Sequence, residues 1–163
     1  MIEENDKNKN DKVKSLSEKE IAYTLLLNLQ KLGYTAVTEL VLNDLKFDIP
    51  KLVGKNISKV RIDLAAHKNE KITFIEVENG LWITHPQIYR KLAHILFLAY
   101  PAEYNSLTDE EQILFAKSKG IGIITVTANG SIKTTLKPIE HEIPIHLAKS
   151  IISLIDKKWK KDN

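Results

Sequence analysis

The sequence predicts an α/β fold in which helices cover a mixed β-sheet, and three patterns carry that prediction. The first is an amphipathic helix over residues 17–33. The second is a pair of strands, VRIDLAA and KITFIEVE, joined by the polar turn HKNE, which indicates an antiparallel hairpin. The third is another strand pair, GIGIITVT and SIKTTLK, followed by an amphipathic closing helix that begins near PIHLAKS.

Local signals fix the first part of the chain. Ser17 and Glu20 form a capping-box pattern at the start of the first helix, and Gly33 supplies a stop at its end. The segment TAVTELVLND is typical of a strand. Pro50 and Gly54 then interrupt regular structure, so we expect a loop before the first hairpin.

The segment THPQIYRKLAHILFLAY predicts a further helix. Thr84 is a suitable cap, and Pro86 falls in the first turn, where its missing N–H costs little. Apolar residues occupy nearly every face, so this helix is expected to be largely buried. The predicted order is helix, three strands, helix, two strands, helix.

Length and composition bound the class of protein. With 163 residues, we expect a single domain at 15–163, preceded by a polar, disordered arm at 1–14. The absence of cysteine excludes disulfides, zinc–cysteine sites, iron–sulfur clusters and a cysteine nucleophile. A net charge of +3 is compatible with a nucleic-acid partner without indicating one. No apolar run approaches the ~20 residues of a membrane span, so we expect a cytoplasmic protein.

Three acids stand on the first hairpin. Alternate residues of a strand share a face, so Glu76 and Glu78 are expected to project together. A turn centred between Asn69 and Glu70 sets Asp63 opposite Glu76. Opposed Cβ atoms lie ~5 Å apart, so the two carboxylates would repel unless a cation or a proton lay between them. Oxygen ligands at this spacing suit Mg²⁺ or Mn²⁺.

A second interpretation needs no metal. The acids could be the solvated side of a half-exposed strand, with Arg61 and Glu78 as a cross-strand ion pair. The flanking segments, LAA after Asp63 and ITFI before Glu76, are almost entirely apolar. They favour a hairpin in the centre of the sheet. Burying a carboxylate there costs free energy, so a carboxylate at this place is expected to have a functional role.

The segments RIDLAA and FIEVEN resemble the catalytic hairpin of the PD-(D/E)xK nuclease superfamily, especially archaeal Holliday junction resolvases. The resemblance implies a restriction-endonuclease-like fold and metal-dependent hydrolysis of DNA, with branched or otherwise structured DNA as the expected substrate. It implies that Asp63, Glu76 and the backbone of Val77 hold Mg²⁺ or Mn²⁺. It also assigns Glu78 to the position that activates water.

The resemblance extends to the neighbouring helices. The family's first helix contributes a glutamate, which is Glu20 here, with Glu18 as the alternative. Similar nucleases carry Gln or Lys after the hairpin to touch DNA or the attacking water, which selects Gln87 and Lys91. Gln87 could instead complete a capping box with Thr84.

Glu78 stands where the family usually has lysine. It could serve as a general base or ligate a second metal ion, or Arg61 or Lys91 could supply the missing positive charge. Alternatively, the chain is a catalytically inactive nucleic-acid-binding module with a nuclease fold. Similar proteins act as homodimers, and the apolar helix predicted at 87–100 would offer a surface for dimerisation.

Overall fold

One mixed sheet of six strands organises the protein. A computed structural model describes residues 14–42, 60–83, 86–104 and 109–163. In chain order the elements are α1 (Glu18–Lys31), β1 (Thr35–Val41), β2 (Arg61–Lys68), β3 (Lys71–Val77), a 3-10 helix (Pro86–Leu92), β4 (Ile95–Pro101), α2 (Asp109–Lys119), β5 (Gly122–Val126), β6 (Ile132–Leu136) and α3 (Ile145–Asp162). The predicted α/β class is confirmed.

The strands lie in the sheet in the order in which they occur in the sequence. The first three are antiparallel neighbours, β4 is parallel to both β3 and β5, and β6 is antiparallel to β5. β3 therefore joins the antiparallel part of the sheet to the parallel part, and it is flanked on both sides.

The capping signals at α1 act as predicted. The Ser17 side chain accepts a hydrogen bond from the Glu20 backbone N–H (3.2 Å), and the Glu20 carboxylate accepts one from the Ser17 N–H (3.2 Å). Gly33 follows the helix with a φ of +89°, a conformation that glycine adopts without strain.

The first hairpin also has the predicted turn. Asn69 and Glu70 have φ values of +52° and +63°, which is the pattern of a two-residue type I′ turn. The β2–β3 ladder runs from the pair Lys68–Lys71 to the pair Leu64–Ile75. This is the register that the sequence predicts.

The helix predicted from Thr84 to Tyr100 is wrong. Thr84 lies outside the described residues, the next stretch forms the 3-10 helix, and Ile95–Pro101 is a strand with parallel neighbours on both sides. A strand buried on both faces is a continuous apolar run, and periodicity cannot distinguish it from a buried helix. The dimer surface expected on that helix loses its basis, since Leu96 and Leu98 are buried in the sheet.

Helices cover both faces of the sheet. Ile21 and Leu25 of α1 pack on one face, and Ile151 and Ile155 of α3 pack on the other. The predicted loop around Pro50 and residues 1–13 of the predicted arm lie outside the described residues. No helix within the described ranges is long and apolar enough to cross a membrane.

Strands β1 and β2 break their alternation at the same place. Ile62 packs on the α3 side, whereas Leu64 packs on the α1 side, although residues two apart normally share a face. On β1, Glu39 lies between the residues paired with Ile62 and Leu64, and its φ is +54°. The break turns the backbone at Asp63, the residue between Ile62 and Leu64.

We expect Glu39→Gly to raise the free energy of unfolding by up to about 1 kcal/mol in urea denaturation. Glutamate in the left-handed region carries a steric penalty that glycine escapes, although glycine loses more chain entropy on folding. Glu39→Val should be less stable than the wild type, because a β-branched residue fits this conformation worst. A glycine variant less stable than the wild type would contradict this account.

Candidate active site

Asp63 and Glu76 meet where the β2–β3 ladder ends, just beyond the last paired residues. The Asp63 backbone N–H donates to Glu76 Oε1 (3.0 Å). In return, the Val77 backbone N–H donates to Asp63 Oδ2 (2.9 Å). Each carboxylate thus accepts a backbone N–H from the opposite strand and fixes the separation of the two acids.

The acids reach each other by a different route from the predicted one. The sequence places both acids on one face of the sheet. In the structure, Asp63 and Val77 line a cleft on the α1 side. Glu76 lies two residues after Phe74, which packs on the α3 side, so the alternation of β3 puts Glu76 on the opposite face from Asp63. The alternation break at Asp63 causes this difference. The carboxylates consequently meet in the gap between the strands.

Glu76 is held in an environment that disfavours its charge. Its side chain is almost fully buried, with 1% exposed. Burial raises the pKa of Glu76 to about 9, and the negative charge of Asp63 and a side-chain hydrogen bond with Asp63 add to the effect. Glu76 therefore keeps its proton at neutral pH unless a cation takes the proton's place.

Glu18 joins this group, and Glu20 does not. Burial raises the pKa of Glu18, with further contributions from the charges of Glu78 and Asp63. Glu20 is exposed, and its hydrogen bonds with Ser17 lower its pKa. The resemblance implied Glu20, with Glu18 as the alternative. Glu20 caps α1 instead, and Glu18 is the glutamate that lies near the acids.

Tyr89 is a neighbour whose importance the sequence did not reveal. It is buried on the 3-10 helix, and its pKa is raised to about 12 by burial and by the charges of Glu76, Asp63 and Glu78, while Arg61 opposes the shift. From the sequence, Tyr89 could stack on bases or frame the mouth of a site, but packing is the commoner role of such an aromatic residue. Its phenol stays protonated near the acids.

Gln87 and Lys91, the other two residues predicted on this segment, show less contact with the acids. Gln87 is half-buried, and its backbone N–H donates to the Ile83 carbonyl (3.1 Å). Lys91 is exposed, and it is not among the charges that shift the pKa of Glu18, Glu76 or Tyr89.

The 3-10 helix that carries Tyr89 is fixed at its end. Arg90 is buried, and its guanidinium donates to the backbone carbonyls of Ala93 (3.0 Å), His94 (3.3 Å) and Ile139 (2.7 Å). These bonds tie the helix to the two residues that precede β4 and to the segment before α3. Tyr89, the residue preceding Arg90, is thereby held in place.

The segment after Glu78 is anchored as well. The Glu78 N–H donates to the Ala99 carbonyl of β4 (3.0 Å), and the Ile83 N–H donates to the Gln112 side chain of α2 (2.9 Å). Gly80 lies so close to the Tyr104 ring that any side chain there would displace it. Glu78 thus extends from a fixed strand end.

The chemistry of the acids suits a hard divalent cation. Asp63 and Glu76 provide carboxylate oxygens on adjacent strands. Burial and then the charge of Asp63 raise the pKa of Glu76, and a cation would favour its ionised form. Within the described ranges, no group of three or more His, Cys, Asp or Glu residues is arranged to hold a metal ion. The pair is thus a two-residue centre with Glu78 and Glu18 near it.

Comparison with known proteins adds no relative. Neither a scan against protein-family models nor a search of curated proteins finds a match to this chain.

We expect the stability of the metal-free protein to fall as pH rises from Glu76's usual pKa near 4.5 to about 9. Across this window the folded state keeps a proton that the unfolded state has lost, so stability falls by roughly 1 kcal/mol per pH unit. Urea unfolding at several pH values measures the slope.

Glu76→Gln should flatten this dependence, because the amide cannot ionise. Glu142→Gln is the matched control, since Glu142 is exposed. The assignment fails if Glu76→Gln leaves the slope unchanged, or if the slope falls equally in the control.

Proposed function

We propose that this chain is a metal-dependent DNA endonuclease of the PD-(D/E)xK type. The observation that carries the proposal is the reciprocal bonding of Asp63 and Glu76 at the end of a central hairpin. A buried carboxyl group is costly, and groups with strongly shifted pKa values concentrate at functional sites. The mixed sheet, with β4 parallel to β3, is compatible with a restriction-endonuclease-like fold.

In this proposal Asp63, Glu76 and the Val77 backbone carbonyl would hold Mg²⁺ or Mn²⁺. When bound, the ion supplies positive charge to the scissile phosphate and lowers the pKa of a coordinated water. The oxygen-only ligands match the preference of these ions. The Asp63 and Glu76 contacts with backbone N–H groups orient both ligands before the ion binds.

Three further side chains would act on the scissile phosphate in this proposal. Glu78 extends from the end of β3 and would accept the proton of the attacking water as a general base. Arg61 is permanently charged, so it cannot be the base and would stabilise negative charge on the phosphate. The Tyr89 phenol stays protonated at neutral pH and would donate a hydrogen bond to this group of oxygens.

The resemblance to archaeal Holliday junction resolvases suggests branched or otherwise structured DNA as the substrate. The net charge of +3 is compatible with a phosphate-bearing partner and does not by itself indicate one.

A second candidate function is a nucleic-acid-binding module that keeps the fold and has lost catalysis. Glu78 stands in place of the family's usual lysine, and this favours the binding module, because a nuclease without the lysine needs another positively charged group at the site. This module would bind DNA without needing Asp63 or Glu76, whereas the nuclease requires both acids.

We expect Mg²⁺- or Mn²⁺-dependent cleavage of labelled DNA, offered as linear duplex, single strand and four-way junction. Asp63→Asn and Glu76→Gln should each lower the rate at least about a hundredfold, since charge stabilisation by a bound ion contributes several kcal/mol to the barrier. Both substitutions nearly conserve volume, so circular dichroism should show an unchanged fold.

Glu142→Gln, which removes an exposed carboxylate on the segment before α3, should cut like the wild type. No cutting of any substrate, together with DNA binding that survives Asp63→Asn and Glu76→Gln, would reject the nuclease and favour the binding module.

A further inference from the structure

A cleft of about 400 Å³ opens beside the acids, between α1 and the strands. Asp63 and Val77, two of the residues proposed to hold the metal ion, form part of its wall. A group that enters the cleft therefore lies next to Asp63 and the end of β3.

The cleft presents a flat aromatic ring next to apolar side chains. Tyr23 of α1 lines it with 60% of its side chain exposed, and Ala22 and Leu26 of the same helix complete that wall. An exposed tyrosine on an apolar floor can stack on the face of a nucleobase, whichever base it is.

The remaining walls are polar and charged. Lys19 and Arg61 contribute positive charge, which suits the phosphates on either side of a nucleoside. Thr38 can donate or accept a hydrogen bond, while Glu18 and Glu39 can only accept when ionised. The cleft thus offers a stacking surface, acceptors for a base edge and cations for the backbone.

We propose that the cleft binds one unpaired nucleoside of the substrate strand, adjacent to the phosphate cleaved at Asp63 and Glu76. Its volume lies within the range of about 300 to 1,000 Å³ typical of small-ligand sites. A base inside a duplex is stacked and paired, so it can enter only if it is already unpaired or is extruded.

This inference rests on the proposed function and narrows its substrate. The preferred DNA has an unpaired nucleotide at the cleavage position, as at a bulge, a strand end or a branch point. Bases with an exocyclic amino group should bind better than thymine, because Glu18 and Glu39 offer acceptors to N–H donors.

The test compares a short DNA duplex containing one unpaired cytosine with the same duplex fully paired. Affinity is measured by fluorescence anisotropy in buffer without divalent cations, so that binding is read independently of cleavage. The wild type should prefer the unpaired cytosine roughly tenfold, which is within the effect of stacking one base on an aromatic side chain.

Tyr23→Ala should remove this preference, while Tyr23→Phe should retain it because the ring remains. Leu27→Ala is the matched control, since Leu27 lies one turn further along α1, is 46% exposed and does not line the cleft. A wild type without the preference, a preference that survives Tyr23→Ala, or an equal loss of affinity for both duplexes would overturn the proposal.

Cleavage of both duplexes with Mg²⁺ separates the two proposals. A Tyr23-dependent preference without any cutting would support the nucleoside cleft and reject the nuclease. Cutting that depends on Asp63 and Glu76, with no such preference, would support the nuclease and reject the cleft.

Discussion

Two backbone N–H groups at the end of the β2–β3 ladder donate to side-chain carboxylates instead of to backbone carbonyls. The geometry of the site depends on these two hydrogen bonds. Asp63 N–H donates to Glu76, and Val77 N–H donates to Asp63. Because both acids are tied to the opposite strand, neither can turn away from the other. The burial of Glu76, together with the charge of Asp63, keeps Glu76 protonated unless a cation takes the place of the proton.

The surrounding fold maintains this constraint. The parallel strand β4 pairs with β3 beside Glu76, which is buried, while Arg90 fixes the 3-10 helix that brings Tyr89 to the acids. The alternation break at Asp63, matched by the positive φ of Glu39, turns Asp63 toward α1 and the cleft. The same distortion therefore gives the site its access on the α1 side.

Patterns among neighbouring residues in the sequence predicted part of the fold. The capping box at Ser17 and the register of the first hairpin depend on neighbours in the sequence, and both are confirmed. Ile95–Pro101 was misassigned because a strand buried on both faces has no periodicity to identify it. The turn of Asp63 toward α1 and the nearness of Glu18 and Tyr89 depend on how separate elements pack, and nothing in their local sequence encodes that. The nuclease assignment itself remains a proposal, drawn from the resemblance and supported by the geometry of the acids.

The most direct test of this account counts protons released when Mg²⁺ or Mn²⁺ binds near neutral pH, by titration calorimetry in buffers of different ionisation enthalpy. Glu76 must lose its proton to become a ligand, so we predict about one proton released per bound ion. Glu76→Gln should abolish both the release and the tight binding. Binding of the ion without proton release, or no binding at all, would contradict the claim that a cation replaces the proton between Asp63 and Glu76.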